Sequence, residues 1–219
     1  MYLIVRMTLL KARVKVRQYD ASQRRLKAAQ RRRTVLDAAQ ELFFSQGYAA
    51  TTIAGIAAAA GVSPETVYKG FGGKPGLVRE LRTHALFGAG PVPAEDRSDG
   101  LRDLADPRAV VRGWARLAGE VAPRVAPILS LVREAAVLDP TIQELADELD
   151  SDRLRRMRAN ARFLADAGHL RPGVSLPQAT DVLFAVSSPE MYDLLVVRRG
   201  WTTRRYSRFV ATTIENALL

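Results

Sequence analysis

The stretch of sequence that decides the fold is GVSPETVYKGFGGK, residues Gly61–Lys74. Ser63 is a favoured helix N-cap residue, and Pro64 suits the first turn of a helix. The glycines at positions 70, 72 and 73 can end that helix, because glycine readily adopts the left-handed conformation of helix C-termini. The segment therefore predicts a polar helix of about two turns.

The residues before this segment predict another short helix, from about Ile53 to Ala60, with Thr51 or Thr52 as its N-cap. Apolar residues recur at helical spacing along one side of it, and small alanines permit a close approach. Two short helices joined by a tight turn at Gly61 form a helix-turn-helix. In that motif the second helix lies in the major groove of DNA, and the first crosses the backbone.

The polar side chains of the second helix face outward in this arrangement and suit contacts with double-stranded DNA. Thr66 can bind a base edge or a phosphate, and Glu65 can accept a hydrogen bond from cytosine. Tyr68, Lys69 and Lys74 suit phosphates, which position a protein without reading sequence. The predicted DNA-binding residues are Arg31, Arg33, Thr52, Ser63, Glu65, Thr66, Tyr68, Lys69 and Lys74. The alternative for residues 51–74 is an ordinary corner between packed helices.

The net charge of +10 is concentrated at the N-terminus. Residues 1–36 contain eleven lysines and arginines against one aspartate, whereas the remaining residues balance at 22 basic and 22 acidic. A basic block at one end indicates a polyanionic partner, either nucleic acid or an anionic membrane. The membrane is the weaker alternative, since the block lacks a sustained apolar face. A merely solubilising tail is the other alternative.

The rest of the chain also predicts helices, so the fold class is all-α. Residues 1–21 form a basic extension that we expect to be disordered, residues 22–73 a three-helix DNA-binding domain, and residues 74–219 a larger helical domain. Residues 88–106, rich in Gly, Pro and Asp, predict a loop. The predicted helices are residues 22–46, 53–60, 64–69, 74–87, 107–121, 124–137, 140–167, 175–199 and 202–218, with Pro189 kinking or splitting the penultimate one.

The composition excludes several kinds of site. The chain has no cysteine, so it has neither disulfides nor thiolate metal sites, and its two histidines are far apart in sequence. We therefore predict no catalytic residue, no metal, no cofactor and no enzyme activity. No segment approaches the roughly 20 apolar residues that span a bilayer. The start of the chain is a poor signal peptide, so we expect a cytoplasmic protein without a membrane partner.

The segment Val35–Val78 closely resembles the N-terminal DNA-binding domain of the tetracycline-repressor (TetR) family. The residues that carry the resemblance are Val35-Leu36, Ala38-Ala39, Leu42-Phe43, Gly47, Thr51-Thr52, Ile56-Ala57, Ala60 to Ser63, Val67-Tyr68, Phe71, Lys74 and Leu77. One position departs from the pattern, because family members often have histidine where this chain has Gly70. That departure affects the expected operator sequence rather than the fold.

The resemblance implies a transcriptional regulator, usually a repressor, that binds an inverted-repeat operator as a homodimer and responds to a small-molecule effector. The larger domain would then bind the effector and form the dimer. Residues suited to line an effector cavity are Phe87, Trp114, Leu131, Phe163 and Phe184. Residues implied in dimerisation are Met191, Leu194, Leu195, Phe209, Val210 and Ile214, with the core of a single chain as the alternative. The alternative function is a non-specific architectural DNA-binding protein that has no effector.

Overall fold

The computed structural model describes residues 2–87, 91–137 and 139–219, with side chains described from residue 22 onward. The described residues contain ten α-helices and no strand, which confirms the all-α prediction. They form two compact units. Unit 1 is Met1–Gln46 with Ala50–Leu77, and unit 2 is Gly47–Ala49 with Val78–Leu219.

Unit 1 contains helices α1 (Tyr2–Gln46), α2 (Ile53–Ala59) and α3 (Pro64–Phe71) and the start of α4 (Lys74–Phe87). Its core consists of apolar side chains at helical spacing that are at most 4% exposed, namely Val35, Leu36, Ala39, Phe43, Ile56, Ala57, Val67 and Leu77. Helix α1 begins at Tyr2, whereas the sequence predicts a helix from about residue 22. The side chains of residues 1–21 lie outside the described residues, so the expected disorder of that extension stays a prediction.

Unit 2 contains the rest of α4 and six further helices. These are α5 (Ala94–Gly100), α6 (Pro107–Ala136), α7 (Pro140–Asp166), α8 (Leu176–Val186), α9 (Pro189–Tyr192) and α10 (Thr203–Leu218), with a 3₁₀ turn at Leu101–Asp103 and a π-helix at Asp193–Arg198. Apolar residues of α6, α7, α8 and α10 form one continuous core. Ser175, Ser188 and Thr202 cap the helices that follow them, as expected for hydroxyl side chains at helix N-termini.

Two predictions about unit 2 are wrong, and packing explains both. Residues Pro107–Ala136 form one helix rather than two, although Pro123 and Pro127 lie inside it. Each proline removes a helix hydrogen bond, but the neighbouring residues Val125, Ala126, Ile128 and Leu129 are buried and hold the helix in place. The predicted loop contains α5, because the side chains of Ala94 and Ser98, one turn apart, are buried.

The region around Pro189 follows the expectation of a split helix. Helix α8 ends at Val186, and the Ser188 hydroxyl accepts a hydrogen bond from the Met191 N–H at 3.1 Å to start α9. Proline at the first helical position fits this arrangement, since its missing N–H has no partner there in any helix.

Candidate DNA-binding surface and cavity

Hydroxyl side chains set the starts of α2 and α3. The Thr52 Oγ1 accepts a hydrogen bond from the Gly55 N–H at 3.0 Å, and the Ser63 Oγ accepts one from the Thr66 N–H at 3.2 Å. Gly61 lies between the two helices with φ of 65°, a left-handed conformation that favours glycine. The predicted caps and turn are therefore confirmed. Contact of Thr52 and Ser63 with DNA stays a prediction.

One face of α3 is anchored in the core of unit 1, and the other is polar and exposed. Val67 is fully buried, which fixes the rotation of the helix about its axis. On the outward side, Glu65, Thr66 and Lys69 are exposed, and Tyr68 is 58% exposed although it is a large aromatic residue. The Thr66 Oγ1 lies 2.9 Å from the Ser63 Oγ, so the threonine rotamer is restricted before any contact with DNA.

The C-terminal end of α3 is held by two residues that the sequence did not single out. The Arg32 Nη1 donates a hydrogen bond to the Gly70 carbonyl oxygen at 2.9 Å, and its guanidinium lies 4.3 Å from the centroid of the Phe71 ring. On α4, a Cβ placed on Gly76 would overlap the Phe71 carbonyl oxygen. Any larger residue at position 76 would displace backbone. We call Arg32 and Gly76 the α3 clamp.

The α3 clamp shows what Gly70, the position that departs from the family pattern, contributes to the end of helix α3. Position 70 contributes its backbone carbonyl to the Arg32 guanidinium, and a Cβ added there would meet no atom within 4 Å. The helix then ends at Gly72, which has φ of 73° and donates its N–H to the Tyr68 carbonyl at 2.7 Å. The last turn of α3 is thus ordered by the backbone and Arg32, without a side chain at position 70.

The other predicted DNA-binding residues flank α3. Arg31 and Arg33 are exposed on α1, on either side of the clamp residue Arg32. Lys74 begins α4 and is half-buried. Exposed guanidinium groups beside a helix-turn-helix suit the DNA backbone.

Unit 2 contains a largely apolar, partly open cavity of about 170 Å³. Much of its wall is a run of α6 residues, namely Trp114, Ala115, Leu117, Ala118, Val121, Ala122, Val125, Ala126 and Leu129. Polar residues also contribute, chiefly Arg82 from α4 and the four α7 residues Asp152, Arg153, Arg156 and Asn160. A concave apolar site with a few placed polar groups is typical of small-molecule pockets.

The structure brings one of the five predicted cavity residues to this wall. Trp114 lines the cavity, and the Phe163 ring packs edge-to-face behind it with ring centroids 6.1 Å apart. Phe184 lies against Arg153, while Phe87 and Leu131 are half-buried elsewhere in unit 2. The predicted cavity residues are mostly aromatic, whereas aliphatic and alanine side chains of α6 form much of the wall. The apolar residues that recur at helical spacing between positions 114 and 129 are the signal in the sequence that indicates this wall.

The cationic groups of the cavity differ in how they are neutralised. The Arg82 Nη1 lies 3.0 Å from Asp152 Oδ2, and the Arg156 Nη2 lies 2.7 Å from Asp99 Oδ1. The hydrogen bond from Arg156 lowers the pKa of Asp99, so this pair is charged at neutral pH. Both arginines therefore already have an anionic partner.

Arg153 has a different environment. Its Nη1 donates to the Phe184 carbonyl at 2.6 Å, and its guanidinium lies 3.4 Å from the Phe184 ring centroid. Its Nε is buried and has no hydrogen-bond partner among the described residues. Burial lowers the pKa of Arg153 to about 10, which leaves it protonated at neutral pH. The described part of the chain provides no salt bridge to this guanidinium.

The residues implied in dimerisation divide into two groups. Leu195, Val210 and Ile214 are at most 6% exposed and belong to the core of unit 2, as the single-chain alternative expects, and their role in dimerisation stays a prediction. Leu194 is 49% exposed on the π-helix, and Met191 and Phe209 are half-buried, so their side chains remain accessible. Val197, which the sequence did not single out, is 66% exposed beside them.

Two kinds of feature are absent from the part of the chain that the structure describes. No three histidine, aspartate or glutamate side chains are grouped so as to hold a metal ion. None of the described helices has the combined length and apolarity needed to cross a bilayer.

Comparison with known proteins agrees with this geometry. Residues 35–81 match the sequence model of the bacterial regulatory proteins of the tetR family. The HTH-type transcriptional regulator YvkB of Bacillus subtilis (strain 168), itself uncharacterised, is 37% identical over 70 residues. That alignment spans 32% of this chain and only 37% of the relative.

Solved structures share the fold over most of the chain. NalD of Pseudomonas aeruginosa, the secondary repressor of the MexAB-OprM multidrug efflux pump, superposes with a TM-score of 0.70 at 21% identity, covering 88% of this chain and 98% of NalD. The TetR-family regulator PfmR of Thermus thermophilus gives 0.58 at 19% identity, covering 84% of this chain and 98% of PfmR. Residues 35–81 thus carry the sequence pattern of the tetR family of bacterial regulatory proteins, and most of the chain shares the fold of solved TetR-family regulators.

Proposed function

We propose that this protein is a ligand-responsive transcriptional regulator, a cytoplasmic repressor that binds an inverted-repeat operator as a homodimer. The observation that carries the proposal is that helix α3 exposes a polar face while both of its ends are held in place. Ser63 holds its start, and the α3 clamp holds its end. Such ordering suits base recognition, which requires side chains in a defined place on the groove.

A dimer follows from the size of the DNA-reading element. A single small DNA-binding module buries only roughly 600–1,000 Å². Two copies related by a two-fold axis double the contacts and read half-sites about one helical turn apart. The exposed apolar side chains of Leu194 and Val197 support an additional protein contact in unit 2.

The cavity in unit 2 supports the effector part of the proposal. Arg82 and Leu86 of α4 line it, and the same helix carries Gly76, which receives the Phe71 carbonyl of α3. An occupant that favours one position of α4 would therefore favour one position of the recognition helix. Its effect on DNA affinity is limited by its differential affinity for the two states, typically about 1–3 kcal/mol.

A gel-shift comparison tests this function. The purified protein is titrated onto DNA from upstream of its own gene and onto a shuffled fragment of equal length, at the same salt concentration. We expect at least about a thousandfold preference for the upstream fragment, as in specific complexes. Nearly equal affinities would favour the architectural alternative. A library of small hydrophobic compounds is then screened for release of the specific complex, and failure of every compound would argue against an effector.

A further inference from the structure

The cavity in unit 2 combines an apolar wall with a buried positive charge, and this combination indicates the chemical class of its ligand. Its wall is largely aliphatic, with Trp114 and Met157 as its bulkiest apolar residues. Its volume of about 170 Å³ is slightly larger than the ~150 Å³ apolar cavity known to admit benzene. A ligand that fills it is therefore small, and the part of its surface that contacts the wall is mostly apolar.

The electrostatic balance of the cavity favours an anion. Asp152 is bound by Arg82 and also pairs with Arg155, so its charge is already compensated. The Glu95 side chain is exposed, and its carboxylate therefore remains in contact with water. What is left inside is the charge of Arg153.

The acidic residue whose charge acts on Arg153, Asp150, is itself paired with another arginine. Asp150 lies 2.7 Å from the Arg133 Nη2, and Arg133 also pairs with Glu190. Arg153 itself contacts the ring and carbonyl of Phe184, neither of which is anionic. Its buried Nε–H lacks a partner among the described residues, and such an orphaned charged donor is costly.

A second buried donor without a partner among the described residues lies in the same region. The Tyr206 hydroxyl is buried, and its pKa rises to about 12, mainly because of that burial. Arg153 is close enough to oppose the rise. Tyr206 is uncharged at neutral pH, so the positive potential at this side of the core comes from Arg153, and a carboxylate on Arg153 would relieve it.

We propose that the cavity binds a small hydrophobic carboxylate, with its apolar body against α6 and its carboxylate on the Arg153 guanidinium. This inference rests on the proposed function only in taking the cavity as the effector site. Guanidinium–carboxylate pairs form two parallel charge-assisted hydrogen bonds, which gives the ligand a fixed orientation as well as affinity.

Three probes of nearly equal shape and different charge test the inference on the full-length protein. These are 3-phenylpropionate, 3-phenyl-1-propanol and 3-phenylpropylamine, each titrated by calorimetry at pH 7. Quenching of tryptophan fluorescence in a Trp201→Phe background, in which Trp114 is the remaining tryptophan, reports whether the probe is in the cavity. We expect the carboxylate to bind about tenfold or more tightly than the alcohol, and the amine to bind most weakly.

Variants at position 153 connect that preference to one side chain. Arg153→Gln should bind the carboxylate and the alcohol equally, while binding of the alcohol shows that the cavity remains intact. Arg153→Lys keeps the charge and should restore part of the preference. Arg162→Gln, which removes an exposed arginine of the same helix, should behave as the wild type.

The outcomes separate this inference from the proposed function. Equal binding of carboxylate and alcohol by the wild type, an unchanged preference in Arg153→Gln, or no carboxylate binding at millimolar concentration would each overturn the inference. DNA binding is measured in parallel. A carboxylate that occupies the cavity but leaves operator affinity unchanged would support the site and contradict the effector function. If the alcohol releases DNA as effectively as the carboxylate does, the result would support the effector function and contradict the carboxylate site.

Discussion

Replacement of Arg32 by alanine should loosen the C-terminal turn of α3 without altering the core. The change removes the hydrogen bond to the Gly70 carbonyl and the contact with the Phe71 ring. An exposed cation–π contact is worth about 0.5–1 kcal/mol. An exposed charged hydrogen bond adds roughly the same, well below the value of a buried one. The combined loss of about 1–2 kcal/mol corresponds to a decrease in operator affinity of about 5- to 30-fold.

Two assays distinguish this positioning role from a direct phosphate contact. Hydrogen exchange of the Gly72 amide, which is bonded to the Tyr68 carbonyl, should become faster in Arg32→Ala, because the terminal turn opens more often. The salt dependence of operator binding should keep its slope, since no phosphate contact is lost. Arg33→Ala is the matched control. It removes a neighbouring exposed arginine, and it should lower the slope while leaving the exchange of Gly72 unchanged.

Unchanged exchange at Gly72, together with a reduced salt slope, would refute the reasoning. Arg32 would then bind the DNA backbone, and another interaction would order the end of α3.

Three other changes test neighbouring parts of the account. Gly76→Ala should lower the melting temperature and reduce operator binding by more than about tenfold, because the added Cβ would overlap the Phe71 carbonyl oxygen. A melting temperature equal to that of the wild type would contradict this prediction. Thr66→Ala should cost about 1–3 kcal/mol of operator affinity and relax specificity at one base pair. A uniform loss on every DNA sequence would instead assign Thr66 to a phosphate. Deletion of residues 1–30, which hold eight basic residues, should weaken binding and flatten its salt dependence, and an unchanged slope would make the extension a passive tail.

The sequence predicts the helix-turn-helix well because its signals are local. Ser63, Thr52 and the glycine turn act within a few residues of themselves, and the structure shows each cap where the sequence places it. The α3 clamp could not be found in this way. Arg32 and Gly70 are 38 positions apart, and the close approach at Gly76 appears only when α4 is packed beside α3.

The cavity was less predictable for a related reason. Aromatic side chains are conspicuous in a sequence, but whether they line an open space or fill the core depends on the register of packed helices. Phe163 supports Trp114 from behind, and Phe184 stacks on a guanidinium. The prolines of α6 misled the prediction of helix ends, since buried neighbours outweigh their cost.

The most direct measurement of the central claim is a footprint of the purified protein on its own upstream DNA, with and without the ligand that fills the cavity. The account predicts two protected half-sites in inverted repeat, about one helical turn apart, and loss of protection when the ligand is added. Protection that spreads over the fragment without a repeat, and that is insensitive to the ligand, would contradict it.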